Sequence, residues 1–189
     1  MVPDQAAQVA DRYDRRTIVL HWMTASLVLL LWGIAQIIDD FAKGSPRITV
    51  RSVHISLGVI LLLLVGARIY WRARFGTRLP NARQGWMGQV AKLSHYLLYG
   101  LLAGVLLMGV TNVWVRGDSY FGLFKVPAWD PGNERLRDTV GDLHETLANA
   151  LLIVAGLHAL AALGHHFILR DSVMRRMVSR GCGKRSAGQ

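Results

Sequence analysis

Cysteine is nearly absent: Cys182 is the only one, which excludes an intrachain disulfide, a cysteine-ligated iron–sulfur cluster and the C-x-x-C-H attachment of c-type haem. Charge is scarce too. Charged residues make up 18% and hydrophobic residues 52%, whereas an ordinary soluble domain carries about 25% charged residues. So apolar a chain is neither disordered nor collagen-like. It contains no glycine-rich nucleotide loop and no flavin motif, so it does not oxidise a nicotinamide cofactor unaided. Acidic residues are missing altogether from Arg68 to Lys92. The excess of base gives a net charge of +10. A nucleic-acid partner requires those bases on a solvated face among polar and aromatic residues. Here they fall between apolar runs, so no nucleic acid is expected.

What is present is four stretches without Lys, Arg, Asp or Glu: Thr17 to Ile38, Ser52 to Ala67, Leu93 to Val115 and Thr146 to Leu169, of 22, 16, 23 and 24 residues. Crossing a hydrocarbon core of roughly 30 Å takes about 20 residues of helix. The second stretch is short, but it extends through Ile69, Tyr70 and Trp71 if Arg68 and Arg72 snorkel to the interface. Backbone polar groups in lipid must be satisfied within helices or closed barrels, so the expected fold is all-α: an integral-membrane four-helix bundle. In a chain of 189 residues this is one domain, expected over 16–172, with an N-terminal tail over 1–15 and a C-terminal tail over 173–189. The Gly/Ser/Arg/Lys-rich end from Ser179 to Gln189 is expected to be disordered. Counting Lys and Arg in the flanks gives fifteen on the side of the termini against seven on the other. Both termini are therefore expected in the cytoplasm. Arg15-Arg16 before an apolar run resembles a twin-arginine export signal, but the run is too long and lacks a small-residue cleavage site, so the first helix should be retained.

Six of the seven histidines lie within or beside a span: His21, His54, His95, His158, His165 and His166. The seventh, His144, is expected to open the fourth helix. An ionisable ring at membrane depth is costly without a partner, so each is a functional candidate. His144 and His158 stand 14 residues apart; at about 100° per residue they face nearly the same side, about 21 Å apart along the axis. His54 offers a partner near one membrane face and His21 near the other. Two histidine pairs stacked across a bundle suit two haems, each with both axial positions filled by imidazole, an arrangement for electron transfer rather than oxygen activation. Zinc competes, although it usually wants three or four ligands, often with carboxylate or thiolate. By depth alone His165 matches His21 better than His158 does. Small residues near the candidates, Ser56 and Gly58, Ala155 and Gly156, Ala161 and Ala162, leave room for a macrocycle or for close helix packing.

The strings Leu20-His21-Trp22, Val53-His54-Ile55-Ser56-Leu57-Gly58, Ser94-His95-Tyr96, His144-Glu145-Thr146, Gly156-Leu157-His158-Ala159 and His165-His166-Phe167 together resemble the bacterial di-haem cytochrome b561 family over residues 12 to 178. The resemblance implies two haem b groups with axial ligands at His21, His54, His144 and His158, and electron exchange with ubiquinone. The run from Arg116-Gly117 through Tyr120-Phe121-Gly122-Leu123 to Pro127 resembles the periplasmic loop of a branch that oxidises superoxide. Related chains are cytochrome subunits or anchors of dehydrogenases and hydrogenases. The expected partners are thus membrane lipid, quinone and a periplasmic donor or redox protein, and the enzyme class that of a superoxide:ubiquinone oxidoreductase.

Haem propionates call for arginine; Arg51, Arg68 and Arg72 are the candidates, or else interfacial anchors. His95 and Tyr99, four apart, could bond a quinone carbonyl or a propionate. Asp142 or Glu145 is expected to orient the His144 ring. A non-redox alternative is a histidine-lined zinc-handling membrane protein.

Overall fold

The computed structural model describes residues 12–77, 79, 85–170 and 173–178. Most of the N-terminal tail, Arg78, Arg83, Cys182 and the stretch expected to be disordered lie outside the described residues. Four long helices account for most of the rest: α1 (Arg15–Ile37), α2 (Ser45–Arg74), α3 (Trp86–Arg116) and α4 (Glu134–Phe167). All four are long and apolar enough to cross a membrane. Each extends beyond its charge-free stretch at one end or both, α4 by twelve residues at its start. His144 therefore does not open its helix but sits ten residues inside it. Freedom from charge marks the hydrocarbon layer; the helical hydrogen-bond ladder continues into the headgroup region, where charges are solvated.

The helices form two hairpins. α1 packs along α2 and α3 along α4, while contacts between the hairpins are few. The seam is closed at mid-depth by a small aliphatic core of Leu31, Leu61, Val65, Leu102 and Leu151, flanked by Leu27, Leu57, Leu98 and Val105. One polar bond crosses the seam nearby, from Trp32 Nε1 to Asn149 Oδ1 at 2.9 Å. Large apolar side chains such as Leu63, Ile153 and Leu157 face outward, as expected where lipid is as apolar as leucine.

Local chemistry sets the helix ends. Asn133 caps α4 by accepting from the Leu136 N–H at 3.0 Å. α3 stops at Gly117, whose φ of 63° is left-handed. A Cβ there would meet the Ala128 Cβ at 2.8 Å, so the position needs glycine on both counts. The chain then makes a short antiparallel ladder, β1 (Ser119–Tyr120) with β2 (Phe124–Lys125), which the sequence analysis did not anticipate. It docks on α2 through Ser52, which is fully buried. Ser52 Oγ accepts from the Phe121 N–H at 2.8 Å and donates to the Ile48 carbonyl at 2.7 Å. One turn on, Ser56 Oγ and the Tyr120 hydroxyl share a 2.6 Å bond.

At the end carrying both termini, Asp14 joins α1 to α2. Its carboxylate accepts from the Thr17 N–H at 2.9 Å and hydroxyl at 2.6 Å, as an N-cap does. It also accepts from Trp71 Nε1 at 2.9 Å and from the Thr77 N–H at 3.2 Å. Beside it the first described residues of the C-terminal tail fold back onto α1. There the Met177 carbonyl accepts from Trp22 Nε1 at 3.0 Å and the Arg176 carbonyl from the Tyr13 N–H at 3.3 Å.

Burial alone would raise the Asp14 carboxyl, but the bonds from Thr17, Trp71 and Thr77 outweigh it and hold the pKa at about 2. A lowered carboxyl stabilises the fold above its unfolded value, near 3.9, and that stabilisation fades as pH falls toward 2. Asp14→Ala should cost roughly 1–2 kcal/mol at pH 7. Thermal unfolding of the detergent-solubilised protein should show the gap between wild type and variant narrowing between pH 4 and 2; a constant gap would contradict the charged clasp.

Candidate functional site

Polar rings gather along the seam at two levels. Toward the β1–β2 end, His54 of α2 faces His144 of α4, with ring centroids 6.4 Å apart and planes at 82°. His144 is held by its Nδ1, which donates to the Val105 carbonyl of α3 at 3.0 Å, leaving Nε2 as the nitrogen with a free lone pair. Asp142 and Glu145, expected to orient this ring, are exposed and do not. At helical spacing they project away from the face that His144 presents to α3. Gly109 of α3 backs the ring: a Cβ there would stand 3.1 Å from His144 Cε1. On the other side Nδ1 of His54 is buried and makes no hydrogen bond. Arg51, one turn before His54, bonds Asp118 at 3.2 Å, and Arg116 approaches the same carboxylate at 3.8 Å.

Toward the termini the second level contains more groups than the sequence grouped together. Arg68 Nη2 lies 2.9 Å from His21 Nδ1, and its guanidinium stacks 5.5 Å from the centre of the Tyr99 ring. His95 and His158 meet edge to face at 5.2 Å, and His21 is near enough to both to interact electrostatically. His95 Nδ1 donates to the Ala91 carbonyl one turn back. The hydroxyl of Tyr99 is buried without a hydrogen-bond partner. Of the expected residues, His21, Arg68, His95, Tyr99 and His158 are brought together here, whereas Arg72 is exposed and stands apart. The depth mismatch between His21 and His158 shrinks, because α1 begins at Arg15 and α4 ends at Phe167. His21 thus lies six residues in from one end and His158 nine from the other.

The model of the prokaryotic cytochrome b561 family matches residues 12–180. The chain belongs to that family. A cytochrome b561 is a haem-bearing electron-transfer protein, and this one is a bacterial multi-pass membrane protein with four spans. It is 32% identical over 176 residues to a protein of Yersinia pestis named as a probable superoxide oxidase, covering 91% of this chain and 98% of that one. It is 28% identical over 173 residues to cytochrome b561 homolog 1 of Escherichia coli K12, covering 90% and 98%. A cytochrome b562 of Cereibacter sphaeroides is 29% identical over 171 residues, covering 88% and 94%.

The residues on the seam fit the haem that the cytochrome b561 family implies. Two imidazoles bound to one ion through nitrogen, at about 2 Å each, place their centroids a little over 6 Å apart, close to the separation of His54 and His144. The bond to Val105 fixes the tautomer such a ligand needs. Zinc finds no such match: among the described residues no group of three or more His, Cys, Asp or Glu is arranged to hold an ion. At 5.2 Å His95 and His158 are too close to flank an iron between them.

Gly109 and Val105 were invisible to pattern reading, since only the facing helix gives them meaning. Gly109→Val should push His144 out of place and lower the haem recovered per chain. Gly104→Ala should not, because a Cβ there meets only Leu147 Cδ1 at 3.4 Å. Pyridine haemochrome assays on both purified variants, with helix content by circular dichroism, check this.

Proposed function

We propose that this chain is a di-haem b electron carrier that takes electrons from superoxide on the periplasmic side and delivers them to ubiquinone. His54 and His144 hold the outer haem and His21 and His158 the inner one. Both termini face the cytoplasm of a cell whose inner membrane the four helices cross. When bound, the haems supply reversible one-electron iron chemistry. The protein's part is to fix the imidazoles, keep water from the seam and guide the anion. The overall change is two superoxide anions, two protons and one quinone giving two dioxygen molecules and one quinol.

One observation carries the superoxide reading. Over the two segments Asp39–Arg51 and Arg116–Asp142 basic and acidic residues balance at seven each, so net charge alone offers no attraction. The fold redistributes them. A cavity of about 100 Å³ is lined by Lys43, Arg47 and Arg51 with Asp118 as its only acid. Arg51 lies one helical turn from His54. The partner of Arg47, Asp39, bonds it at 3.2 Å but points into solvent. A basic recess of this kind raises the arrival rate of a small anion. The Y. pestis relative's name supports the same reading.

At the other level, Arg68 stacked on Tyr99 supplies the guanidinium for a propionate, and His95 with Tyr99 the hydrogen-bonding groups for a quinone carbonyl or a propionate. The open recess requires no partner subunit for entry of a small donor.

Single alanine variants assign the sites. His54→Ala and His144→Ala should each lose one haem, His21→Ala and His158→Ala the other, and His165→Ala neither. Haem stoichiometry and reduced-minus-oxidised spectra decide the assignment, and loss of a haem in His165→Ala with two retained in His158→Ala would reverse the inner ligand.

Superoxide mixed with the oxidised protein in a stopped-flow cell should reduce haem at a rate that falls as ionic strength rises. A water-soluble quinone should reoxidise it. No reduction above the autoxidation background would instead favour a quinone-linked cytochrome subunit fed by a separate dehydrogenase.

A further inference from the structure

Beside the Asp14 clasp, on the exposed flank of the α1–α2 hairpin, lies a groove of about 590 Å³, within the range of about 300–1,000 Å³ typical of small-ligand sites. Its floor is Val19 and Leu20 from α1 and Ala67 from α2. Tyr70 and Trp71 wall one side, and Arg15 and Arg16 stand at the mouth. Among the described residues neither arginine makes a hydrogen bond or ion pair; the one contact is the Arg16 guanidinium over the Trp71 ring at 4.5 Å. Trp71 cannot turn its N–H to a ligand, because Asp14 holds it. Asp14 lies beside the groove, and its carboxylate is already engaged by four donors. Among the described residues the recess therefore presents two cations without an acidic partner above an apolar floor.

We infer that this groove binds one anionic phospholipid, its phosphate on Arg15 and Arg16 and the start of an acyl chain along Val19, Leu20 and Ala67. Three features choose a lipid over a soluble anion. The floor is apolar. The groove opens sideways on the hairpin flank, where lipid lies. Tyr70 and Trp71 sit where aromatic belts meet headgroups, at the ends of spans. Charge complementarity selects an anionic head over a zwitterionic one, since juxtamembrane basic residues favour anionic lipid. The site lies outside the histidine seam and is independent of which donor or acceptor the protein uses.

Native mass spectrometry of the haem-loaded full chain tests it, with phosphatidylglycerol and phosphatidylcholine of identical acyl chains at equal concentration. The wild type should retain phosphatidylglycerol in preference. Arg15→Gln with Arg16→Gln should cut that retention at least about tenfold while leaving haem content and helicity unchanged. Ala67→Trp should cut retention by filling the floor with both arginines in place. Equal retention of the two lipids by the wild type would overturn the site, as would undiminished phosphatidylglycerol on the double variant. Displacement of the bound lipid by equimolar decylubiquinone would also overturn it, by assigning the groove to quinone.

Discussion

A polar ring inside hydrocarbon must find a partner or stay out, and the bundle is arranged around that constraint. His21, His54, His95, His144, His158, Arg68, Tyr99 and Asn149 collect on the seam between two helical hairpins. The flanks facing lipid carry leucine, isoleucine and valine. Packing inside each hairpin is close and packing between them is sparse.

The aliphatic layer of Leu31, Leu61, Val65, Leu102 and Leu151 divides this seam. Leu61 stands seven residues from both His54 and Arg68, and Leu151 seven residues from both His144 and His158. The two polar levels are thus separated by an aliphatic layer at mid-depth. Trp32, bonded to Asn149, pins the two hairpins beside that layer. Hairpin-to-hairpin placement is then set by directional bonds, this one and those from Arg51, Ser52 and Ser56 to the α3–α4 connection, as well as by shape, which suits a site whose tolerance is a fraction of an ångström.

How much of this was legible beforehand depended on distance along the chain. Four spans, the extension of the second past Arg68, and the shared face of His144 and His158 all follow from periodicity and charge within a single helix. Helix ends were misjudged because the absence of charge reports the hydrocarbon layer, and the backbone ladder outlasts it; His144 at the start of a helix was an error of that kind. Contacts between helices were beyond reach. His95 beside His158, Gly109 behind His144 and the bond from His144 to Val105 depend on how α3 is rotated against α4, a quantity that no single-helix pattern contains. The β1–β2 ladder, two residues per strand, is too short for any alternation to announce it. Asp14 was not singled out in the sequence, and its bonds to Trp71 and Thr77 join segments more than fifty residues apart.

The interval between the two polar levels is the same on both helices, fourteen residues from His54 to Arg68 and from His144 to His158. Fourteen is close to four full turns, so each pair returns to the same face. One residue inserted or deleted within either interval would swing the lower group by about 100° and turn it out of the seam. Length changes between the levels are therefore restricted to near-whole turns, made in α2 and α4 together. In such a protein the membrane tolerates many substitutions on the lipid flanks but almost no change in count, and the separation of the two levels is a digital quantity, fixed by the pitch of the helix.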